Sequence, residues 1–117
     1  MKLNLLVIRT QEPELLKAQH ELLGMNFEYH KHEKGPYHYA CETNGFVFEI
    51  YPLTKSMTVA DASLRLGFDV RNLPQTIEIL KETNWKILSD IQKTPWGQTA
   101  VIQDLDGRKV ELKDKIL

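Results

Sequence analysis

Two glutamates pose the first chemical question, because each holds the same place in a repeated pattern. Glu49 lies in Gly45-Phe46-Val47-Phe48-Glu49-Ile50 and Glu111 in Gly107-Arg108-Lys109-Val110-Glu111-Leu112. A carboxylate in a partly buried cleft can serve as a general base or line a ligand pocket, so both are candidate catalytic residues. Arg65 is the cation to weigh against them. Its guanidinium is permanently charged and its fork suits carboxylates, so it reads either as an exposed strand residue or as their counter-charge. Three histidines invite a metal reading. His30 and His32 stand among Lys31, Glu33 and Lys34 and read as a solvated turn. His38 falls in a candidate strand, opposite the face of Tyr37, Tyr39 and Cys41, and is a possible substitute ligand. His20 reads as surface, on the polar side of a helix. Cys41, the one cysteine, reads as a small buried hydrophobe and excludes an internal disulfide.

An internal repeat must position these residues. Residues 3–8 form an apolar, β-favouring run. Thr10 to Glu12 offers helix caps, and Pro13 suits a first helical turn. Leu15, Leu16, Gln19, Leu22 and Leu23 then recur at helical spacing up to Gly24. Strands are expected over 25–30, 37–42 and 46–53, broken by Lys34-Gly35-Pro36 and Thr43-Asn44-Gly45. The second half repeats the order. A strand over 64–70 precedes a cap at Asn72 with Gln75 three residues on, then a stripe of Leu73, Ile77 and Leu80. Strands over 85–88, 98–103 and 108–112 follow, separated at the end by Pro95-Trp96-Gly97 and Asp104-Leu105-Asp106-Gly107. Trp96 is expected to cap a sheet edge.

The expected fold class is α+β. Two βαβββ modules, 1–53 and 64–117, are joined by a polar linker, 54–63, and form a curved, mostly antiparallel sheet around a cleft with the helices outside. Strand alternation assigns Val47, Glu49 and Tyr51, Arg65, Gly67 and Asp69, and Lys109, Glu111 and Lys113 to the cleft face. On the first strand it assigns Asn4, Leu6 and Ile8.

Composition narrows the partners. The chain has 117 residues, 42% hydrophobic and 26% charged, with a net charge of −1. That is ordinary globular usage, and it gives no electrostatic reason to expect a nucleic-acid or membrane partner. The first residues are too short an apolar run for a signal peptide or membrane span, so a cytoplasmic location is expected.

Pro95-Trp96-Gly97, Asp104-Leu105-Asp106-Gly107 and Glu111-Leu112 together resemble the closing P-x-G … D-P-D-G-x-x-x-E-L pattern of the glyoxalase/bleomycin-resistance/extradiol dioxygenase (vicinal oxygen chelate) superfamily. Leu22-Leu23-Gly24-Met25 is similar to that superfamily's L-G-[FM] helix end. Leu105 departs from the usual Pro. The resemblance implies a four-position metal site on the first and last strands of each module, which falls here on Asn4, Glu49, Arg65 and Glu111. Both glutamates are present, but Asn is a poor ligand and Arg none. No metal or other cofactor is therefore expected, and the ligand pocket is assigned to Asn4, Leu6, Val47, Glu49, Tyr51, Arg65 and Glu111. The resemblance implies a small-molecule-binding protein paired as a homodimer. The alternatives are a metal-dependent or carboxylate-based lyase or isomerase, and a degenerate pocket in a scaffold or regulatory protein.

Overall fold

The structure, a computed structural model, describes residues 1–115. It is of the α+β class, with two helices and nine strands in two sheets among the described residues. The chain divides into two compact units, Met1–Asp61 and Ala62–Leu117.

The first unit runs β1 (Leu5–Thr10), α1 (Pro13–Glu21), β2 (Glu28–His30), β3 (His38–Thr43) and β4 (Phe46–Pro52). Its sheet has the order β1-β4-β3-β2, with β1 parallel to β4 and the other pairs antiparallel. The β3–β4 hairpin follows from its turn residues. Asn44 and Gly45 both take positive φ (51° and 76°), the conformation that a tight two-residue connection with the right twist requires. Ile8, Leu16, Cys41, Phe48 and Ile50 form the core. Cys41 is thus the buried hydrophobe its context suggests.

Helix α1 corrects the expected stripe. Its buried positions are Pro13, Leu16, Gln19 and His20, while Leu15 and Leu22 are exposed. Leu16, Gln19 and His20 recur at i, i+3 and i+4, so one narrow face meets the sheet. His20 is fully buried with its ring edge-on to Phe48 (centroids 5.2 Å), not on the surface. Spacing alone favoured the leucines, but the packed face is set by where the helix axis lies. At the helix start Thr10 accepts the Glu12 N–H through Oγ1 (3.1 Å).

The second unit runs β5 (Leu66–Asp69), α2 (Leu73–Leu80), β6 (Lys86–Ile87), β7 (Gln92–Thr94), β8 (Gly97–Gln103) and β9 (Lys109–Lys115). Its order is β5-β9-β8-β6, with β7 also pairing β8 and with β5 parallel to β9. Helix α2 forms as its sequence dictates. Asn72 accepts the Gln75 N–H (3.2 Å), and Leu73, Ile77 and Leu80 are buried. Strand β7 has no counterpart in the first unit. Trp96 is 66% exposed rather than covering an edge, whereas Trp85 is buried.

The Asp104-to-Gly107 turn closes around Arg108. Asp104 Oδ1 accepts the N–H groups of Asp106 and Arg108 (2.9 Å each), and Arg108 Nη1 reaches Asp104 Oδ2 (3.1 Å) and Asp106 Oδ2 (2.8 Å). With the Arg108 side chain 1% exposed, the guanidinium is desolvated, and its charge is compatible with burial because it meets these carboxylates. Leu105 in place of proline leaves this turn intact.

Candidate functional site

Strand register decides which side chains of the first unit share a face. Residues paired across neighbouring strands point to the same side of a sheet. Phe48 packs on His20 of α1, so Phe48, Ile50, Tyr39 and Cys41 define the helix side. Val47, Glu49 and Tyr51 take the opposite, open side, as alternation predicts.

The first strand requires a correction. Leu6 pairs with Phe48 and Ile8 with Ile50, whereas Leu5, Val7 and Arg9 pair with Val47, Glu49 and Tyr51. Leu6 and Ile8 therefore lie on the helix side, and Leu5, Val7 and Arg9 share the open face with Glu49. Asn4 precedes the strand and contributes its carbonyl, which accepts the Val47 N–H (2.9 Å). In the second unit Gly67 pairs with Glu111 as Val7 pairs with Glu49. Two residues back from each, the equivalent of Arg65 is Leu5, not Asn4. Counting from Gly24 and the two glutamates along the sequence misplaces the first strand by one residue, and one residue reverses every side chain.

The open face holds a connected polar line. His38 and Glu49 meet through Nε2 and Oε2 at 3.2 Å, with side chains 3% and 17% exposed. The His38 ring stacks on Tyr51 (4.3 Å between centroids, 7° between planes), and the Arg9 guanidinium lies over the same phenol at 4.8 Å. Strand β4 runs between β3 and β1, so Tyr51 meets His38 from one neighbour and Arg9 from the other. Burial first, then the Glu49 carboxylate, pushes the Tyr51 phenol above its ordinary pKa, against the opposing pull of Arg9. The phenol is thus held neutral as a hydrogen-bond donor.

His30 and His32 join this face. His30 is the cross-strand partner of His38, and His32 follows two residues later. The three ring centroids are 5.4–5.9 Å apart, and one nitrogen from each ring lies within 4.8 Å of the others. Read as a sequence, His30 and His32 belong to a solvated turn. The signal that could have joined them to His38 was the H-x-H spacing plus the hairpin register, which places 30 opposite 38.

The second unit presents a looser arrangement. Arg65 Nη2 stands 3.8 Å from Glu111 Oε2, and the side chains are 56% and 43% exposed. Such an exposed pair holds its carboxylate only weakly.

The four positions to which the superfamily resemblance assigns a divalent ion do not fit one. Arg65 has donors and no acceptor to offer a metal, and neither Leu5 nor Asn4 offers an imidazole or carboxylate. Glu49 is already engaged by His38.

No protein-family model matches the sequence, and no curated protein matches it. Solved structures do. TnmS3, an antibiotic binding protein from Streptomyces sp. CB03234, superposes with a TM-score of 0.76 at 19% identity, covering 99% of this chain and 97% of its own. A glyoxalase family protein from Bacillus cereus gives 0.74 at 15% identity over 100% and 94%. Another from Enterococcus faecalis gives 0.69 at 18% identity over 97% of each chain. The chain has the vicinal oxygen chelate fold.

Proposed function

We propose that this chain is a small-molecule-binding protein of the glyoxalase/bleomycin-resistance type, whose four inherited metal positions bind no divalent ion. The observation that carries this reading is the donor set. Arg65 and Leu5 stand at equivalent first-strand positions, and neither can ligate a metal. The likeness to an antibiotic binding protein supports the choice of a binding role. Val47, Glu49 and Tyr51 are the ligand-facing residues of the first unit, and Arg65 and Glu111 those of the second. Within the first unit, an organic ligand with hydroxyl or amine donors suits the Glu49 carboxylate, and the neutral Tyr51 phenol adds a donor.

A second reading, a lyase or isomerase, is favoured by one observation. The His38–Glu49 contact pairs an imidazole with a carboxylate on a shielded face, the arrangement that general acid–base chemistry uses. Glu111, at 43% exposure beside Arg65, has no imidazole partner of this kind in the contacts described for it. We further propose a cytoplasmic homodimer, since each sheet ends in edge strands that pairing of two chains could cover. Among the described residues no helix is long and apolar enough to cross a membrane.

The test is a thermal-shift and native mass-spectrometry screen of the purified chain against a panel of antibiotics. A bound compound that raises the melting temperature, and loses that effect in Glu49→Gln, supports the binding reading. Turnover of a bound compound lost in the same variant would move the assignment to the enzyme. One metal per chain that disappears in Glu111→Gln would overturn the metal-free assignment of the four positions. Sedimentation at micromolar concentration checks the dimer.

A further inference from the structure

We infer that His30, His32 and His38 form a site for a divalent transition metal, Zn²⁺ or an ion of similar ligand preference; none of its donors is one of the four inherited positions, although Glu49 of that set contacts His38.

The backbone places the donors before any side chain is considered. His30 closes β2 opposite His38 on β3, and directly paired residues in an antiparallel sheet project to the same side. His32 stands two residues beyond His30, the spacing that returns a side chain to the same face of an extended chain. The turn holding it there is closed by the Gly35 N–H bonding to the His32 carbonyl (2.8 Å), with Glu33 at positive φ (49°). One nitrogen of each ring then converges within 4.8 Å. Bonds of about 2.1 Å in a tetrahedral site put ligand nitrogens roughly 3.4 Å apart. Small rotations of His30 and His32, the less buried rings, close that difference.

His38 supplies a second, independent observation. It is 3% exposed, its Nε2 faces Glu49, and its Nδ1 is buried without a hydrogen-bond partner. A solvated surface histidine leaves no such nitrogen, and an unsatisfied buried acceptor is costly unless something occupies it. An imidazole that gives its Nε2–H to a carboxylate presents Nδ1 as a lone pair, the tautomer a metal takes.

His30 repeats the motif, with Glu28 Oε2 at 3.2 Å from its Nε2. Neither carboxylate belongs to the convergent donor set. With Nε2 of His30 and of His38 turned to a carboxylate, Nδ1 of each is left to the proposed metal, and Glu28 and Glu49 take an orienting role. Two carboxylates behind three neutral imidazoles also offset the charge of a dication. Three nitrogens fill three of four tetrahedral positions and leave the fourth to water or a small oxyanion, on the side where His32 is exposed to solvent.

The experiment is calorimetric titration of the full chain, free of any affinity tag and stripped of metal, with Zn²⁺, alongside Co²⁺ absorption as a report on coordination geometry. Wild type is expected to bind one Zn²⁺ per chain with an intense tetrahedral Co²⁺ spectrum, and binding should weaken as protons compete at lower pH. His32→Ala changes an exposed side chain and should fold normally, yet lose at least about 100-fold in affinity. Loss of the orienting partner in Glu28→Gln should cost about 10–100-fold. Arg65→Ala and Glu111→Gln should bind as wild type does. Wild type that takes up no Zn²⁺, or His32→Ala and His30→Ala both binding unchanged, overturns the site. Binding lost in Glu111→Gln but kept in His32→Ala overturns it too, and at the same time sinks the metal-free reading of the four inherited positions.

Discussion

The two units share a frame and differ in what they hang on it. In both, the first strand runs parallel to the last, and a glutamate on the last strand faces a small or apolar residue on the first, Val7 opposite Glu49 and Gly67 opposite Glu111. Yet all four histidines, all four tyrosines and the only cysteine lie in the first unit, and both tryptophans in the second. Glu49 is shielded and joined to His38 at 3.2 Å, whereas Glu111 is half-exposed beside Arg65 at 3.8 Å. Backbone pairing and a buried face are needed in both units because they hold each sheet together. The open face has no such constraint, so one copy could collect titratable and ligating groups while the other kept a single ion pair.

The turns before the last strands contrast most sharply, and Arg108 tests that contrast. The first unit needs only Asn44-Gly45, while the second uses four residues locked by Arg108, with Phe46 standing in the first unit where Arg108 stands in the second. Arg108→Ala leaves Asp104 buried without its counter-charge and should cost about 3–5 kcal/mol. Trp85, buried in the same unit, reports the loss as a shifted denaturation midpoint in fluorescence. A cost under about 1 kcal/mol would mean that the turn does not depend on this pair. Gly107→Ala probes the same turn through its backbone. Gly107 has φ +90°, and an added Cβ would meet only ordinary contacts, with Ala62 Cβ at 3.7 Å the nearest. The expected cost is therefore conformational, about 1–2 kcal/mol.

Arg65→Ala sharpens the difference between the two glutamates. A buried counter-charge would be worth several kcal/mol, but side chains 56% and 43% exposed at 3.8 Å place this pair with surface ion pairs. The expected change is under about 1 kcal/mol, and it should shrink further in high salt. A larger, salt-insensitive loss would show Arg65 supporting more than Glu111.

How far the sequence could be read follows from these same residues. The duplicated βαβββ order, the Asn72 cap, the Asn44-Gly45 turn and the Leu73, Ile77 and Leu80 stripe are local features, and local chemistry decides them. The register of β1 is not local. It depends on pairing with β4, some forty residues away by sequence number, and a one-residue error carried Leu6 to the wrong face and Asn4 to the place of Leu5. His20 looked like surface because its own helix is polar there, although Phe48 on a distant strand covers it. The histidine cluster was hidden for the same reason. Its members look solvated until the β2–β3 pairing sets 30 against 38.

The last comparison is between tyrosines that titrate in one unit and none in the other. Tyr37, Tyr39 and Tyr51 all have pKa values raised above the ordinary value near 10, in each case by burial first. Glu14 adds to the shift at Tyr37 and Tyr39, and Glu49 adds to it at Tyr51. A phenol whose folded pKa exceeds its unfolded one keeps its proton longer in the folded state. Its contribution to stability is therefore complete below pH 10 and is lost as pH rises through the folded pKa. Alkaline destabilisation should thus begin in the first unit, and phenolate absorbance, which only that unit can supply, should show it. Two variants separate the causes at Tyr51. Glu49→Gln removes a negative charge and should move the Tyr51 titration down, while Arg9→Gln removes a positive charge and should move it up. Both shifts should be partial, because burial remains the largest cause. Phenolate absorbance followed against pH in wild type, Tyr51→Phe and the two charge variants assigns the Tyr51 titration by difference. If Glu49→Gln left it unmoved, the open face of the first unit would lack the electrostatic coupling that distinguishes it from the second.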